Sequence, residues 1–531
     1  MSLLALDRRR GLLLGLTFVV AFCSIVYELI YSEMLRVLFG GTVLRYSITI
    51  GLFLFSLGVG AFCFRYISDI ERNFFRTEVA LAVVGPLGLL LMVGVNSAPW
   101  VQFPLKDELV LAVSHLPIVV VGVLSGLEIP FLSTLVDSSG DAFSEVLGVD
   151  YFGSLVGTVV YALVLYPTLG LVVAIFVLGL ANAVVALLFA YRGGLKSPSV
   201  PIVVACLLVT ASYGGVITAG ESAERAVEET YIGAEIESQY PPGQVSIQVQ
   251  EVRRTAHQRV VIYNRTLAAT ANRPGRTEQC LRLDGQLQLC DSWVQSYHRG
   301  LVDVPMGMFE NRPDTRVLLV GGGDHIATNR LRDHGVTVDQ VDLDGEFLDY
   351  TKDHPYFEQY HNDTYTYDRL TTYKTDALTY LRNTDRQYDL VLLDLPGARN
   401  DDMLPLYSTE FYRLLRGHLT DDGVVVSWGY DRAAYATHYA TYMNTVRAAG
   451  FDRHVAYHSW DDTDGDGETE RGERFYAFSS GPGPSPALET ASNLTDTQQR
   501  RYADAEWRPV VRYRGVEPNS IFNPNYDIII N

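Results

Sequence analysis

Residues 316–344 have the sequence RVLLVGGGDHIATNRLRDHGVTVDQVDLD, and this stretch decides the fold of the carboxyl-terminal half. The apolar run 317–320 predicts a buried strand, which leads into three glycines and Asp324. A helical pattern follows, and then a second strand that ends at Asp342 and Asp344. Glycines in such a turn let backbone N–H groups approach a ligand, and an acid about 20 residues further on can bind ribose hydroxyls. The stretch therefore predicts a nucleoside-binding unit, with a ligand-free βα turn as the alternative.

Helical patterns alternate with apolar runs from this stretch to about residue 480. Such alternation predicts a doubly wound, Rossmann-like α/β domain with a parallel sheet. Ligands of these sheets bind at the carboxyl ends of the strands. Four acids lie at or just after predicted strand ends: Asp324, Asp342, Asp376 and Asp394. Their convergence is hard to explain as core packing and predicts a ligand site.

A small β unit is predicted before this domain, because residues 244–290 alternate apolar and polar side chains. The Asp284–Gly285 pair between two alternating arms is typical of a hairpin turn. Cys280 and Cys290 lie on the two arms, close enough for a disulfide. Since nothing in the sequence indicates an oxidising compartment, we expect two free thiols, with the disulfide as the alternative.

The first 220 residues contain apolar runs at roughly 11–31, 44–66, 78–96, 109–136, 146–168, 170–191 and 200–219. Most reach the ~20 residues that span a bilayer, which predicts a multi-pass domain of about seven helices in the cell membrane. Arginines before the first run and after the second and sixth predict that these loops are cytoplasmic. Seven spans would then place the soluble half outside, where a nucleoside ligand is not expected, so its side stays open.

Three acids occur within or beside these runs, namely Glu28, Glu128 and Asp150. Ionised groups at membrane depth are costly and often functional. One interpretation places them near the membrane interfaces or beside arginines. The other is an intramembrane cation site.

The charge and composition of the chain indicate which partners and which solvent suit it. The net charge of −19 argues against a nucleic-acid partner, and an acidic chain with four lysines suits a salt-rich solvent. The oligomeric state stays open, and a homo-oligomer is compatible with the sequence. The predicted segments are a transmembrane domain (1–220), an exposed connector (221–243), a small β domain (244–300), the Rossmann-like domain (301–480) and a carboxyl-terminal tail (481–531).

The soluble half resembles the spermidine synthase (polyamine aminopropyltransferase) family over most of residues 245–430, and the apolar half is similar to that of its membrane-bound members. The motifs that carry the resemblance are His257–Gln258, 283–288, Tyr297–His298, Gly321–Gly322–Gly323–Asp324, 341–344, 375–377 and 407–415. The resemblance implies transfer of an aminopropyl group from decarboxylated S-adenosylmethionine to a polyamine or related amine. It also implies the fold of S-adenosylmethionine-dependent methyltransferases, with no metal required.

The same resemblance implies roles for individual residues. Asp394 would be the catalytic base for the amine, and Tyr297 would orient the reacting groups. The nucleoside would be held by Gln258, His298, Gly321, Gly322, Gly323, Asp324, Asp342, Asp344 and Asp376. The chain departs from the family after Asp394, where residues 395–399 read LPGAR and lack a second acid, and at Arg299, where a glutamate is common.

Two other functions remain open because a fold does not settle a function. One is a non-catalytic polyamine-binding sensor or transporter, and the other is a methyltransferase that uses S-adenosylmethionine. Residues 462–473 also have the spacing of a calcium loop, although an exposed acidic loop is the expected alternative. Its candidate ligands are Asp462, Asp464, Asp466 and Glu473.

Overall fold

The computed structural model describes residues 3–98, 105–136, 140–193, 200–270, 274–309, 312, 314–398, 401–462, 468–491 and 494–529. The chain forms two compact units. The first contains Met1–Arg254 and Val261–Thr277, and the second contains Thr255–Val260 and Glu278–Asn531.

The first unit is mainly helical. Its helices are α1 (Leu3–Phe39), α2 (Val43–Cys63), α3 (Ile70–Ser97), α4 (Lys106–Ser114), α5 (Leu116–Gly126), α6 (Glu128–Val136), α7 (Gly140–Val160), α8 (Tyr166–Leu188), α9 (Val200–Thr218) and α10 (Gly220–Glu237). Within the described ranges, five helical stretches are long and apolar enough to cross a membrane: Arg8–Phe39, Val43–Tyr66, Ile70–Ser97, Lys106–Val136 and Ala142–Arg192. The pair Val203–Thr218 and Gly220–Glu237, bent by 85°, would add a sixth if it counts as one span.

The stretch Ala142–Arg192 contains two of the predicted apolar runs. Its 51 residues are far longer than the ~20 needed for one crossing. The backbone leaves the helical conformation at Gly170, where φ is 71°. A Cβ at this position would lie 2.3 Å from the guanidinium of Arg254, so a side chain here would meet both backbone strain and a steric clash. The break therefore falls between the runs 146–168 and 170–191.

The prediction of an exposed connector at 221–243 was wrong, because residues 220–237 form helix α10. Two of its acids are buried, Glu224 and Glu228. Glu224 pairs with Arg254 at 2.9 Å and accepts a hydrogen bond from the Val172 backbone at 2.9 Å. The charged face of α10 therefore forms contacts inside the protein instead of facing solvent.

A four-stranded sheet in the order β1-β2-β3-β4 follows. The strands are β1 (Val245–Arg254), β2 (Arg259–Leu267), β3 (Arg276–Leu283) and β4 (Gln286–Cys290). Asp284 and Gly285 have φ of 48° and 80°, the conformation that a two-residue hairpin turn needs. The turn brings Cys280 directly opposite Cys290, and the two form a disulfide. The expectation of free thiols was therefore wrong.

The second unit contains an eight-stranded sheet in the order β12-β10-β11-β9-β8-β5-β6-β7. Its strands are β5 (Arg316–Gly321), β6 (Thr337–Asp342), β7 (Leu370–Lys374), β8 (Tyr388–Asp394), β9 (Leu419–Trp428), β10 (Arg453–Asp461), β11 (Glu470–Ser479) and β12 (Arg508–Pro509). Strands β5 to β9 are parallel, and β10 to β12 are antiparallel to their neighbours. The doubly wound, Rossmann-like fold class is therefore confirmed.

Helices lie before and between these strands: α11 (Val294–His298), α12 (Val304–Met306), α13 (Ile326–Asp333), α14 (Gly345–Asp353), α15 (Pro355–His361), α16 (Ala377–Asn383), α17 (Thr409–Gly417), α18 (Ala436–Ala448) and α19 (Asp496–Tyr502). The segment predicted as a tail packs on the domain. Val510 and Ile528 are fully buried in its core, and Asn519 donates hydrogen bonds to the carbonyls of Leu404 and Tyr407.

The strand order of this sheet reverses beside β5. The chain runs from β5 to β6 and β7 on one side of β5 and then to β8 on the other side. Ligands bind at such a switch point.

Candidate active site

The glycine turn lies at this switch point. Gly321, the last residue of β5, pairs with Asp394, the last residue of β8. Gly321 and Gly322 have φ of 87° and 70°, which residues with a Cβ rarely adopt. A Cβ on Gly321 would lie 2.0 Å from the Asp394 carbonyl oxygen, and one on Gly322 would lie 3.2 Å from Asp394 Oδ2. Glycine is required here because the turn passes directly over the end of β8.

Asp394 lies at the centre of the site. Its Oδ1 accepts a hydrogen bond from the Tyr297 hydroxyl at 3.0 Å, whereas its buried Oδ2 has no hydrogen-bond partner among the described residues. Burial raises the pKa of the Asp394 carboxyl well above its ordinary value, and the nearby charge of Asp324 raises it further. The hydrogen bond from Tyr297 acts in the opposite direction. A carboxyl with a raised pKa is suited to exchanging a proton with a ligand.

His298 is fully buried beside this carboxylate. Its Nδ1 lies 2.7 Å from the Val294 carbonyl, which can only accept a hydrogen bond, so Nδ1 carries the proton. Burial lowers the pKa of His298, and Nε2 of the neutral ring therefore presents a lone pair. This Nε2 lies 3.7 Å from Asp324 Oδ2 and 4.0 Å from Asp394 Oδ2, and none of the described residues forms a hydrogen bond with it.

Three electron-rich groups thus face one point without a donor between them. In the part of the chain that the structure describes, His298, Asp324 and Asp394 are the group whose ligand atoms lie within 4.8 Å of one another and could hold a metal ion. The same geometry suits an organic cation such as an ammonium group, whose N–H groups would donate to these acceptors. A cation is the ligand that this arrangement favours.

The end of β6 carries Asp342 and Asp344, and the structure gives them different surroundings. Asp344 caps helix α14 by accepting from the Phe347 backbone at 3.0 Å, and its other oxygen accepts from the Thr255 hydroxyl at 2.6 Å. Asp342 accepts from the Asp344 backbone at 2.8 Å. Burial raises the pKa of Asp342 to about 6. Asp342 also accepts from the Gly323 backbone, but it is only partly buried, whereas Asp344 is buried with both oxygens engaged, so Asp342 is the better candidate for ribose.

Gln258 and Asp376 border the same edge. The backbone of Gln258 bonds with Thr255, the residue that contacts Asp344, so Gln258 is tied to the end of β6. Asp376 caps α16 by accepting from the Thr379 backbone and hydroxyl at 2.8 and 2.9 Å. Both side chains are partly exposed and remain candidates for nucleoside contacts.

The loop after Asp394 is held by aromatic side chains. The Trp428 indole donates to the Leu395 carbonyl at 2.8 Å, and the Tyr407 hydroxyl donates to the Pro396 carbonyl at 2.8 Å. A small pocket adjoins the loop and is lined by Gly397, Ala398, Tyr407, Trp428, Gly429, Tyr430, His438 and Tyr442. Arg399 lies outside the described residues. Arg299 pairs with Asp461 at 2.6 Å, so its charge is compensated.

The calcium-loop candidates are divided between described and undescribed residues. Asp464 and Asp466 lie outside the described residues, whereas Asp462 follows β10 directly and Glu473 lies within β11. Glu473 lies two residues before Phe475, whose ring centre is 5.6 Å from that of Tyr297, so both side chains lie on the same face of β11 as this contact. The sequence pattern associated Glu473 with a metal loop. Its proximity to Tyr297 depends on strand pairing, for which the sequence has no local signal.

The parallel sheet, glycine turn and acid-lined strand ends define a Rossmann-like protein with a site suited to a nucleoside and a cation. The spermine/spermidine synthase domain family matches residues 294–458. Polyamine aminopropyltransferase 1 of Streptomyces coelicolor is 31% identical over 458 residues, which cover 83% of this chain and 80% of the relative. The polyamine aminopropyltransferase of Leptospira interrogans is 25% identical and covers 82% of each chain. The spermidine synthase structure from Thermotoga maritima aligns with 50% of this chain and 80% of its own, with 18% identity and a TM-score of 0.35.

This chain belongs to the polyamine aminopropyltransferase family. The similarity to the Streptomyces relative is too long to lie within the soluble half alone. It therefore extends into the helical unit.

Proposed function

We propose that this protein transfers an aminopropyl group from decarboxylated S-adenosylmethionine to a polyamine or related amine. The observation that carries the proposal is the set of unpartnered acceptors at one point, His298 Nε2 and Asp394 Oδ2, beside Asp324. Both reactants bring a positive charge to such a site, as the sulfonium of the donor and the ammonium of the acceptor. Family membership supports the same reaction.

In the proposed binding mode, the nucleoside lies over the glycine turn. Gly321–Gly323 would let the backbone approach it, Asp342 would accept hydrogen bonds from the ribose hydroxyls, and Asp376 would lie near the base. Gln258 would border the nucleoside from the β2 side. Asp324 would then face the aminopropyl arm rather than the adenine.

In the reaction, the amine nitrogen attacks the methylene carbon next to the sulfonium. The C–N bond forms as the C–S bond breaks, and the electron pair of the C–S bond passes to sulfur, which becomes a neutral thioether. The proton of the attacking amine passes to Asp394. Tyr297 holds the carboxylate in place through the 3.0 Å hydrogen bond.

The test uses full-length protein in detergent, decarboxylated S-adenosylmethionine and a set of amines, with methylthioadenosine as the detected product. Asp394→Asn should abolish transfer and retain methylthioadenosine binding in calorimetry. Asp349→Asn is the matched control, because this exposed acid pairs with Lys352 and Lys374 at the surface. Methylated products from S-adenosylmethionine would instead favour the methyltransferase alternative. Absence of any nucleoside binding would refute the proposal.

We also infer that the helical unit lies in a membrane, supported by its five long apolar stretches. A reporter fused after Asn531 tests on which side the soluble unit lies. A cytoplasmic reporter signal is expected for an enzyme that uses an adenosyl donor. The opposite signal would remove the donor and favour the second candidate below.

A second candidate, an amine-binding sensor or transporter, is favoured by two observations. The Cys280–Cys290 disulfide is typical of oxidising compartments. Glu128 is buried beside Glu78, which is fully buried and accepts from the Asn182 amide at 2.9 Å. This candidate predicts amine flux into vesicles without turnover, lost in Glu128→Gln. Flux that is unchanged in this variant, or turnover by Asp394, would exclude it.

A further inference from the structure

Two acids lie inside the helical unit, Glu78 of α3 and Glu128 of α6. Their exposed fractions are 0% and 3%, so both face the interior of the helix bundle instead of its surface. Ionisable groups at such positions are costly, and in membrane proteins they often bind ions or transfer protons. The pair takes no part in the proposed aminopropyl transfer, which needs a separate explanation for these two side chains.

The packing of α3 on α6 brings the two acids together. Phe74, one turn before Glu78, and Phe131, one turn after Glu128, have ring centres 6.4 Å apart in an edge-to-face contact. The two helices lie in consecutive apolar stretches joined by a short segment, so they run in opposite directions. The next turn of each helix therefore places Glu78 beside Glu128, and the two carboxyl groups lie within hydrogen-bonding range of each other.

Two buried side chains from other helices form hydrogen bonds that lead to Glu78. The Tyr27 hydroxyl of α1 donates to Asn182 Oδ1 at 3.1 Å, and the Asn182 amide of α8 donates to Glu78 Oε2 at 2.9 Å. The other oxygen, Glu78 Oε1, is buried, and none of the described residues donates a hydrogen bond to it. A carboxylate oxygen without a donor is costly in the interior, so this atom needs one. Glu128 supplies a donor only when it is protonated.

The pair has no cationic neighbour in the described part of the chain. No described lysine, arginine or histidine forms an ion pair with Glu78 or Glu128. The other titratable groups that interact electrostatically with these acids are Cys23 and Tyr27 of α1 and Asp150 of α7, and none of them brings a positive charge. Two adjacent carboxyl groups in such surroundings do not both ionise at neutral pH, because their charges repel.

Ser125 provides a second buried polar group beside the pair. It lies three residues before Glu128, so the two side chains occupy neighbouring positions on one helical face. The Ser125 hydroxyl is buried, and none of the described residues forms a hydrogen bond with it. A hydroxyl both donates and accepts, so it suits a neighbouring group that changes between an acid and a carboxylate.

We propose that Glu78 and Glu128 form a proton-binding site inside the helical unit, in which the two carboxyl groups share one exchangeable proton. In the bound state, one carboxylic acid donates to the carboxylate of the other. On release, the O–H bond breaks, its electron pair stays on the carboxyl oxygen, and water takes the proton. The site gives the helical unit a group that takes up and releases protons, as proton-coupled membrane proteins require.

The test counts protonated and ionised carboxyl groups by infrared spectroscopy of the full-length protein in detergent at pH 7. Compared with wild type, the double variant Glu78→Gln/Glu128→Gln should lose one protonated C=O band and one carboxylate band, because the pair holds one proton. In heavy water, the protonated band of wild type should shift, since its proton exchanges with solvent. The matched control is Glu71→Gln/Glu145→Gln, whose two acids each form an ion pair with an arginine of α1. This control should lose two carboxylate bands and no protonated band.

Loss of two carboxylate bands in Glu78→Gln/Glu128→Gln would overturn the inference, because the pair would then hold no proton. Loss of two protonated bands would also overturn it, since each acid would keep its own proton. A protonated band that does not shift in heavy water would refute exchange with solvent. If the double variant does not fold, Glu128→Gln alone decides: its amide supplies the donor that Glu78 Oε1 lacks, so one protonated band should disappear and the number of carboxylates should stay the same. Loss of a carboxylate in this single variant would contradict a shared proton. None of these measurements depends on methylthioadenosine formation.

Discussion

The Tyr297–Asp394 hydrogen bond should set the pH at which the proposed base becomes active. Tyr297→Phe removes the hydroxyl that donates to Asp394 Oδ1 at 3.0 Å and keeps the ring that packs on Phe475. The hydrogen bond stabilises the carboxylate form, so its loss raises the pKa of Asp394 further. A hydrogen bond to a charged group contributes about 1.5 kcal/mol, which corresponds to a rise of about one pKa unit.

The direction of the shift in the pH profile follows from the role of Asp394 as the base. Asp394 must be ionised to accept a proton, so activity falls as the pH drops through its pKa. In Tyr297→Phe, the acidic limb of the kcat/KM profile for the amine should move about one unit toward higher pH. Below the limb, the rate should be about tenfold lower than in wild type, and the difference should shrink at higher pH. The assay is methylthioadenosine formation between pH 5 and 9 at a saturating donor concentration.

Tyr365→Phe is the matched control, since it removes a hydroxyl that donates to Asp363 at 2.8 Å on the exposed surface. Its pH profile should equal that of wild type. A uniform loss of rate in Tyr297→Phe, with the acidic limb unmoved, would refute the reasoning. Tyr297 would then orient the substrates without influencing the ionisation of Asp394.

Three further predictions concern the turn, the hairpin and the ribose acid. Gly322→Ala should weaken methylthioadenosine binding at least tenfold, because its Cβ would lie 2.9 Å from Leu319 Cδ2 and 3.2 Å from Asp394 Oδ2. The control is Gly335→Ala, where φ is 68° and the space around the residue is open. This variant has the same backbone strain of about 1 kcal/mol and should leave binding unchanged. Replacing Cys280 and Cys290 with serine should lower the free energy of unfolding by about 3 kcal/mol, given their separation of 10 residues, and reductant should have the same effect on wild type in thermal unfolding. The pKa of Asp342 is raised to about 6, so this carboxyl binds a proton more readily in the folded than in the unfolded protein. Its ionisation should lower the free energy of unfolding as the pH rises from 4 to 6, and the complete loss should be about 3 kcal/mol. Asp342→Asn should remove this part of the pH dependence of unfolding.

Local sequence patterns predicted the elements whose conformation depends on residues close to one another in the sequence. The apolar run before Gly321 forms β5, and the Asp284–Gly285 turn has positive φ at both residues. The glycine turn could be predicted because no other residue adopts such a backbone so easily. The four acids at strand ends could be found because β-strands and helices alternate regularly along the chain.

The contacts that the sequence did not reveal depend on long-range pairing. Glu224 was assigned to an exposed connector, but it is buried against Arg254, 30 residues away. Glu473 was assigned to a metal loop, but its surroundings depend on a bulge in the pairing of β10 with β11. Asp342 and Asp344 have the same chemistry and differ only in their partners. No local pattern specifies such partners, because they come from distant parts of the chain.

The crowding of acids at Asp394 also predicts the order of events at the site. With no ligand, burial and the charge of Asp324 disfavour a second negative charge, and both raise the pKa of Asp394, so proton binding by this carboxyl is favoured. A sulfonium bound nearby would lower the pKa of Asp394 and release that proton. Calorimetry in buffers of different ionisation enthalpy should therefore detect proton release when decarboxylated S-adenosylmethionine binds at pH 7. The neutral thioether methylthioadenosine should release less, and Asp394→Asn should remove the difference between the two ligands. Equal proton release by the two ligands in wild type would mean that the donor charge does not reach Asp394, and that the base is ionised by some other group.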